Sequence, residues 1–431
     1  MSTTPAPPRA VTPSAPLPAP PTVSSAPWRL EAGCVDELDR LGRVLAQFLR
    51  AAALLHRRST EGRHPAWIAG WLDQGKPARS ASPQRHAPKH PRLPTLCSVD
   101  VTLAATGPVL TRISTRLEHI ALAARLQERH AAAANAVPLG GPDGIRQALQ
   151  HLCAGATHIH VVAPETHPIP LDNPAEVCPL LATSADNPRR VTLHQTLDVE
   201  PRPEDLVLRR FTIETPDAAA AAARLASMAR LLPTTTSLFD EALWFALLWN
   251  GNLQPFWRQE LGGGYFDWLR EHLPYAWVLD PTPLPPHAVI PRLGLADWAD
   301  LAALHPHAER LAIRPSLQPA RADPFPGPVG GSSETPWTAT VANALRSFSR
   351  SPHILERIPE PALVALPDAA GAGASSVVGE VALRCYYSAR DTAAATGFAL
   401  AGALAWHRSP SRPGNDVPPT LTVGACCSSH D

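Results

Sequence analysis

Trp244-Phe245-Ala246-Leu247-Leu248-Trp249-Asn250, followed by Trp257, Trp268 and Trp277-Val278-Leu279-Asp280-Pro281, is the stretch on which the fold reading turns. Between Phe239 and Asp280 stand five of the eleven tryptophans, four of the nine phenylalanines and two of the four tyrosines. Each ring buries a large area and dominates the energetics of the core it enters. A cluster this dense predicts the anchor of a folded body. Ser237, with Asp240 three residues on, has the pattern of a capping box in front of an aromatic helix. A further helix is expected around 265–273.

Working outward, Thr215-Pro216-Asp217 has N-cap and N1 chemistry and predicts an alanine-rich helix through Leu232. Leu38, Leu41, Leu45, Phe48, Ala52 and Leu55 recur at three- and four-residue steps, the mark of one buried helix face over 36–58. Strands are expected over 97–103 and 109–113 around the turn Thr106-Gly107-Pro108. Helices should follow over 117–134 and 145–153, then a buried strand at His158-Ile159-His160-Val161-Val162. Towards the C-terminus the pattern gives helices over 296–304 and 338–348 and strands over 311–314, 353–358, 377–387 and 397–404. Beyond Ser409 the chain is expected to be loosely structured. By itself this pattern reads as a soluble, mixed α/β protein.

Composition narrows the function. The 431 residues are 45% hydrophobic, enough for a sizeable core. Lys+Arg and Asp+Glu number 38 each, so no global field draws the chain to nucleic acid or to an anionic membrane surface. The fifty prolines require long irregular segments. Residues 2–27 hold nine of them and read as a disordered tail, with a Pro-rich adaptor ligand as the alternative. Lys76, Arg79, Arg85, Lys89 and Arg92 make a basic loop, read as a solvated linker or as a phosphate contact. Seven scattered cysteines without a C-x-x-C argue against a disulfide framework or a zinc site, and Cys426-Cys427 reads as two surface thiols on a tail. No secretory signal and no membrane-length apolar run is visible, so the expected location is cytoplasmic. His158 and His160 alternate on one strand and invite metal ligation. With no third ligand close by in sequence, satisfied strand histidines are the expectation.

No Walker loop, nucleophile elbow or H-E-x-x-H pair occurs. Several stretches in order nevertheless carry a resemblance. They include Gly107-Pro108-Val109-Leu110-Thr111, Glu241-Ala242-Leu243-Trp244-Phe245-Ala246-Leu247-Leu248-Trp249-Asn250 and Pro255-Phe256-Trp257-Arg258. The longest begins at Trp277-Val278-Leu279-Asp280-Pro281 and runs to Pro291, and His353-Ile354-Leu355-Glu356-Arg357 and Leu383-Arg384-Cys385-Tyr386-Tyr387 follow. From about residue 95 onward the chain resembles a bacterial family related to glutathionylspermidine-synthase-like, circularly permuted ATP-grasp proteins. The resemblance implies an α+β fold, two-lobed and ATP-grasp-like, with an added helical, aromatic-rich region. The implied organisation is a disordered tail at 1–27, a helical segment and basic linker at 28–95, and an α/β lobe at 96–215. An aromatic-rich helical region at 216–305 and a partly degenerate ATP-grasp-like lobe at 306–431 complete it.

The chemistry such a resemblance implies joins a carboxylate to an amine through an acyl phosphate, with ATP and Mg2+ as cofactors. It needs cations on the transferring phosphates and acidic ligands on the metal, because charge accumulates there in the transition state. On the matching positions Arg314 takes the place of the phosphate lysine, Glu356 falls in the adenine-edge stretch, and Arg384 lies in the matching piece Leu383-Arg384-Cys385-Tyr386-Tyr387, while the family's last motif, expected between Leu404 and Val423, is barely recognisable. These three are the expected cofactor-binding residues. The acidic pair expected after Leu110-Thr111 is replaced by Arg112 and Ser114, and a guanidinium there repels Mg2+. Asp100, Glu118 or Glu380 are the alternative metal ligands. No catalytic or metal-ligating residue is assigned. The sequence therefore predicts a divergent ATP-grasp-like protein that has lost Mg-ATP catalysis and acts as a binding or scaffold subunit for a protein partner. The alternatives are an active carboxylate-amine ligase and a Pro-rich adaptor.

Overall fold

A computed structural model of the chain describes residues 22–24, 26–76, 93–132, 137–164, 173–182, 189–213, 215–282, 293–317, 323–326, 330, 335–365, 378–392, 395–409 and 421–428. Its described strands fall into three sheets. The first and largest opens with β1 (Thr22–Val23), β2 (Trp28–Leu30), β3 (Leu96–Ala104) and β4 (Gly107–Ser114). The second holds β5 (His158–Val162), β6 (Arg190–His194), β7 (Leu206–Arg209) and β8 (Arg230–Leu232), all parallel in the order β6-β5-β7-β8. The third is antiparallel, from β9 (Ala276–Val278), β10 (Leu311–Pro315) and β11 (His353–Arg357), with β11 central. The chain then returns to the first sheet through β12 (Leu363–Ala365), β13 (Val378–Thr392), β14 (Ala395–Arg408) and β15 (Leu421–Ser428). The spine of that sheet runs β1-β15-β14-β13-β3-β4.

Side-chain alternation gives the large sheet two covered faces. On one, the 29-residue helix Ala32–Thr60 lays Leu38, Leu41, Leu45, Phe48, Ala52 and Leu55 against it, the stripe expected from the sequence. The helix comes close because Gly42 has no side chain: a Cβ there would stand 2.5 Å from the Phe398 carbonyl oxygen. On the other face lie the helices Ile120–Ala132 and Gly144–Leu152 with Ala382, Tyr386, Leu404 and Trp406. Gln127 pins this layer, donating from Nε2 to the carbonyls of Leu139 (2.8 Å) and Ala401 (2.9 Å).

The aromatic stretch is the anchor the sequence predicts. Every residue of the helix Leu243–Trp249 is buried, the pattern of an interior helix. Buried indole N–H groups need acceptors, and Trp244, Trp249 and Trp257 donate to the carbonyls of Leu238, Pro274 and Leu247. The Trp257 ring packs against Phe48 of the long helix (centroids 5.7 Å apart) and edge-on to Phe256 at 5.2 Å.

Several expectations are corrected. Ser237 makes no capping bond, and the aromatic helix begins at Leu243. Asp240 instead accepts from the Thr115 N–H (2.6 Å) and hydroxyl (3.0 Å), so a tertiary contact takes the carboxylate. The alanine-rich helix is capped by Thr215 as read but ends at Met228, because 230–232 pairs with β7 as the edge strand of the parallel sheet. The stretch beyond Ser409 is not loose where described: β15 sits inside the large sheet. Cys426 and Cys427 are consequently buried free thiols and not surface ones. Lys76 belongs to no solvated linker, since its buried ammonium stands 2.6 Å from Glu241 Oε1. Part of the proline-rich segment is ordered too, because Thr22–Val23 pairs in parallel with β15. Residues 1–21 and 77–92, which carry the rest of the adaptor reading, lie outside the described residues. No helix among the described residues is long and apolar enough to cross a membrane.

Candidate functional site: a closed arginine–carboxylate network

Strand register builds the site. β13 and β4 flank β3 on its two sides, and the antiparallel pairing sets Arg384 and Arg112 each directly opposite Asp100. Directly opposed residues share one face of a sheet, so three strands present a row of cation, anion and cation. Arg384 donates from Nε to Asp100 Oδ1 (2.7 Å) and from Nη2 to Oδ2 (3.0 Å), the two-pronged geometry that suits guanidinium and carboxylate. Arg112 reaches the same Oδ2 at 3.4 Å.

The turn after β4 closes the row. Leu117 and His119 both have positive φ (57° and 58°), a region non-glycine residues seldom occupy. Between them Glu118 is driven inward, where its Oε1 accepts from Arg112 Nη2 at 2.6 Å and from the Ser114 hydroxyl at 3.4 Å. Its backbone carbonyl accepts from the Tyr386 hydroxyl (2.7 Å). Two guanidinium and two carboxylate groups thus balance in charge, all of them buried. Burial on its own would raise the Glu118 carboxyl, but Arg112, Arg384 and Arg116 more than reverse it and hold the group well below the usual carboxylate range. Burial, reinforced by Arg384, pushes His119 down to about 3. It is therefore neutral near pH 7, and its Nδ1 accepts from Arg384 Nη1 at 2.8 Å.

Arg314 and Glu356 join from the third sheet. The Arg314 guanidinium lies 2.8 Å from Glu356 Oε1 and donates to the Thr111 carbonyl at 2.9 Å, tying β10 to β4. The five positions marked in the sequence, Arg112, Ser114, Arg314, Glu356 and Arg384, do gather in one region. They gather as partners. Each charged end faces a protein group of opposite charge or a backbone carbonyl. The cavity lined by Arg112, Asp240, Glu241, Phe245 and Arg314 measures about 10 Å3. That is room for a single water, where small-molecule pockets run to roughly 300–1,000 Å3. Glu380, the third alternative metal ligand, pairs instead with Arg408 on the neighbouring strand.

The architecture has a counterpart among solved structures. The glutathione synthetase-like effector of Globodera pallida, in its apo form, superposes with a TM-score of 0.51 over 94% of this chain and 90% of its own, at 11% identity. The fold is glutathione-synthetase-like. A protein described as a γ-glutamylcysteine synthetase from Methylobacillus flagellatus KT matches at a TM-score of 0.37 and 11% identity, over 86% of this chain and 87% of its own. No family model and no curated protein matches the sequence. Likeness at this identity concerns the mixed helix-and-sheet fold and no residue of a site.

The resemblance read from the sequence implies ATP and Mg2+, and the carboxylates of this network do not fit that metal. A hard divalent cation needs several free oxygen ligands, whereas both Asp100 oxygens and Glu118 Oε1 accept from guanidinium groups, which leaves Glu118 only its Oε2. Among the described residues the ligand atoms that converge tightly enough to hold an ion are elsewhere, at His158, His160 and Asp205. Asp205 is a third group that the spacing of His158 and His160 does not reveal. It lies 45 positions from His160 and is brought there only by the pairing of β7 with β5.

Proposed function

We propose that this chain is an ATP-grasp-related protein that has lost Mg-ATP turnover and serves as a binding or scaffold subunit. The observation that carries the reading is the Arg112 guanidinium between Asp100 and Glu118. A delocalised, permanently charged cation occupies the bay between two buried carboxylates, which is where a metal would have to bind. Ligation would require displacing it, and an uncompensated buried charge costs several kcal/mol. The packed aromatic framework around it keeps the scaffold without keeping the chemistry.

One observation favours a second reading, an active carboxylate-amine ligase with ATP and Mg2+ bound after rearrangement. Glu118 Oε2 and Glu356 Oε2 are buried with no hydrogen-bond partner among the described residues. A thermal-shift series with saturating Mg-ATP, run beside an assay for ADP release over a panel of carboxylates and amines, decides between the two. The scaffold reading expects an unchanged midpoint and no ADP above the protein-free rate. A ligand that binds only the native state at a hundredfold its Kd adds about 2.7 kcal/mol of stability. A raised midpoint with magnesium-dependent ADP release therefore overturns the scaffold reading.

A further inference from the structure

We infer that His158, His160 and Asp205 form a binding site for a borderline divalent transition ion such as Zn2+ or Co2+, on the parallel sheet and separate from the arginine–carboxylate network. It does not depend on the proposed loss of ATP chemistry. The placement follows from strand geometry. Two residues apart on β5, the histidines project from the same face, and their rings lie with centroids 3.9 Å apart. The parallel neighbours supply the rest. Thr192 of β6 stands opposite His160, and Asp205 immediately precedes β7, whose Leu206 stands opposite Ile159. One ligand atom from each of His158, His160 and Asp205 lies within 4.8 Å of the others. In a tetrahedral shell with Zn–N and Zn–O near 2.0–2.2 Å the ligand atoms sit roughly 3.3–3.6 Å apart. His160 Nε2 and Asp205 Oδ2, at 3.2 Å, already have about that separation.

The surroundings orient the ligands as metal sites require. His194, at the end of β6, places Nε2 2.9 Å from His160 Nδ1. With His160 Nδ1–H donating there, the Nε2 lone pair faces Asp205 and the ion. Asp205 is fixed by the Arg202 backbone N–H at 2.8 Å, and the His158 ring by the Thr192 hydroxyl at 2.9 Å. Two imidazoles and one carboxylate favour zinc, cobalt, nickel or copper over magnesium and calcium, which prefer oxygen shells. The three residues leave a fourth tetrahedral position to a non-protein ligand, and His158, half-buried where His160 and Asp205 are buried, is the most exposed of the three. Three protein ligands with one open position is the arrangement of reactive zinc centres, whereas structural zinc sites are closed by four.

The test uses the untagged full-length chain, stripped with a chelator and titrated with Co2+ alone. We expect one equivalent to bind, with the visible d–d absorption of a four- or five-coordinate Co2+ centre, and Zn2+ to bleach it by displacement. His160→Ala and Asp205→Asn should each weaken Co2+ binding by at least about a hundredfold, and His194→Gln by roughly 10–100-fold. Circular dichroism checks that each variant is folded. If His160→Ala does not fold, His158→Gln, at a half-exposed position, carries the same expectation as a ligand variant. Absence of stoichiometric uptake by the wild-type chain, or uptake unchanged in the folded ligand variants, overturns the assignment.

Discussion

Replacing Asp100 by Asn tests whether the central network is a closed charge circuit. The native side chain accepts at 2.7 and 3.0 Å from Arg384 and at 3.4 Å from Arg112, all three residues being buried. The variant keeps the shape but removes one of the two network carboxylates that face the two guanidinium groups, and it turns an amide N–H2 toward groups that can only donate. One unit pair about 4 Å apart is worth about 4 kcal/mol at an effective dielectric of 20, and breaking a buried pair costs about 3–5 kcal/mol. We expect a loss of about 4 kcal/mol, read as a lower urea midpoint at unchanged slope. The burial implies that added salt should restore little of it. Arg384→Met in the same chain brings the balance back to one cation and one anion. The double variant should then recover at least about 2 kcal/mol relative to Asp100→Asn, a coupling a double-mutant cycle isolates. An Asp100→Asn chain within about 0.5 kcal/mol of wild type, or a double variant no more stable than the single one, refutes the circuit.

Two further expectations rest on burial. Burial and Arg384 hold His119 down to about 3, while an unfolded chain takes up the proton near 6.5. The unfolded state therefore binds more protons between those values, and the stability that His119 contributes is complete above about 6.5 and declines as pH falls toward 3. The slope from this group is at most about 1.4 kcal/mol per pH unit, and His119→Gln should flatten it in urea midpoints measured from pH 7 to pH 4; an unaltered profile rejects the assignment. Trp257, fully buried among Phe48, Trp244 and Phe256, should cost about 3–5 kcal/mol when cut to Ala. A loss under about 1 kcal/mol would show that the aromatic stretch is not the anchor of the core.

What the sequence revealed depended on how local the signal was. The helix Ala32–Thr60 announced itself through a long apolar stripe, and β3 and β4 through two short runs about one turn. The indoles near 244–257 needed no partner to be recognised as core. β15 is hard to read from sequence because Gly424, Ala425 and Cys426 are small and interrupt the short strand-like run Leu421-Thr422-Val423, although every residue from 423 to 427 is buried. In the site, the five marked positions were the right region with the wrong relation. Arg112 was recognised as hostile to Mg2+, while Asp100 and Glu118 were read as spare metal ligands and not as the partners of that arginine. The reason is register: Asp100 meets Arg384 across 284 positions, and no local pattern encodes which residue of one strand stands opposite which of another. The same blindness hid Asp205 from His160 and Thr115 from Asp240.

The placement of β15 sets a timetable for the chain. β1 and β2 both lie in parallel against it, and Thr22 meets Thr422, some four hundred residues later in synthesis. During translation β1 and β2 have no edge to join until residues 421–428 leave the ribosome. Until then the flank of β14 that β15 will cover stays bare, and bare flanks recruit strands from other molecules. A chain whose residues 421–428 have not yet emerged therefore carries an open strand edge, and loss of β15 leaves β1 and β2 without the strand they pair with.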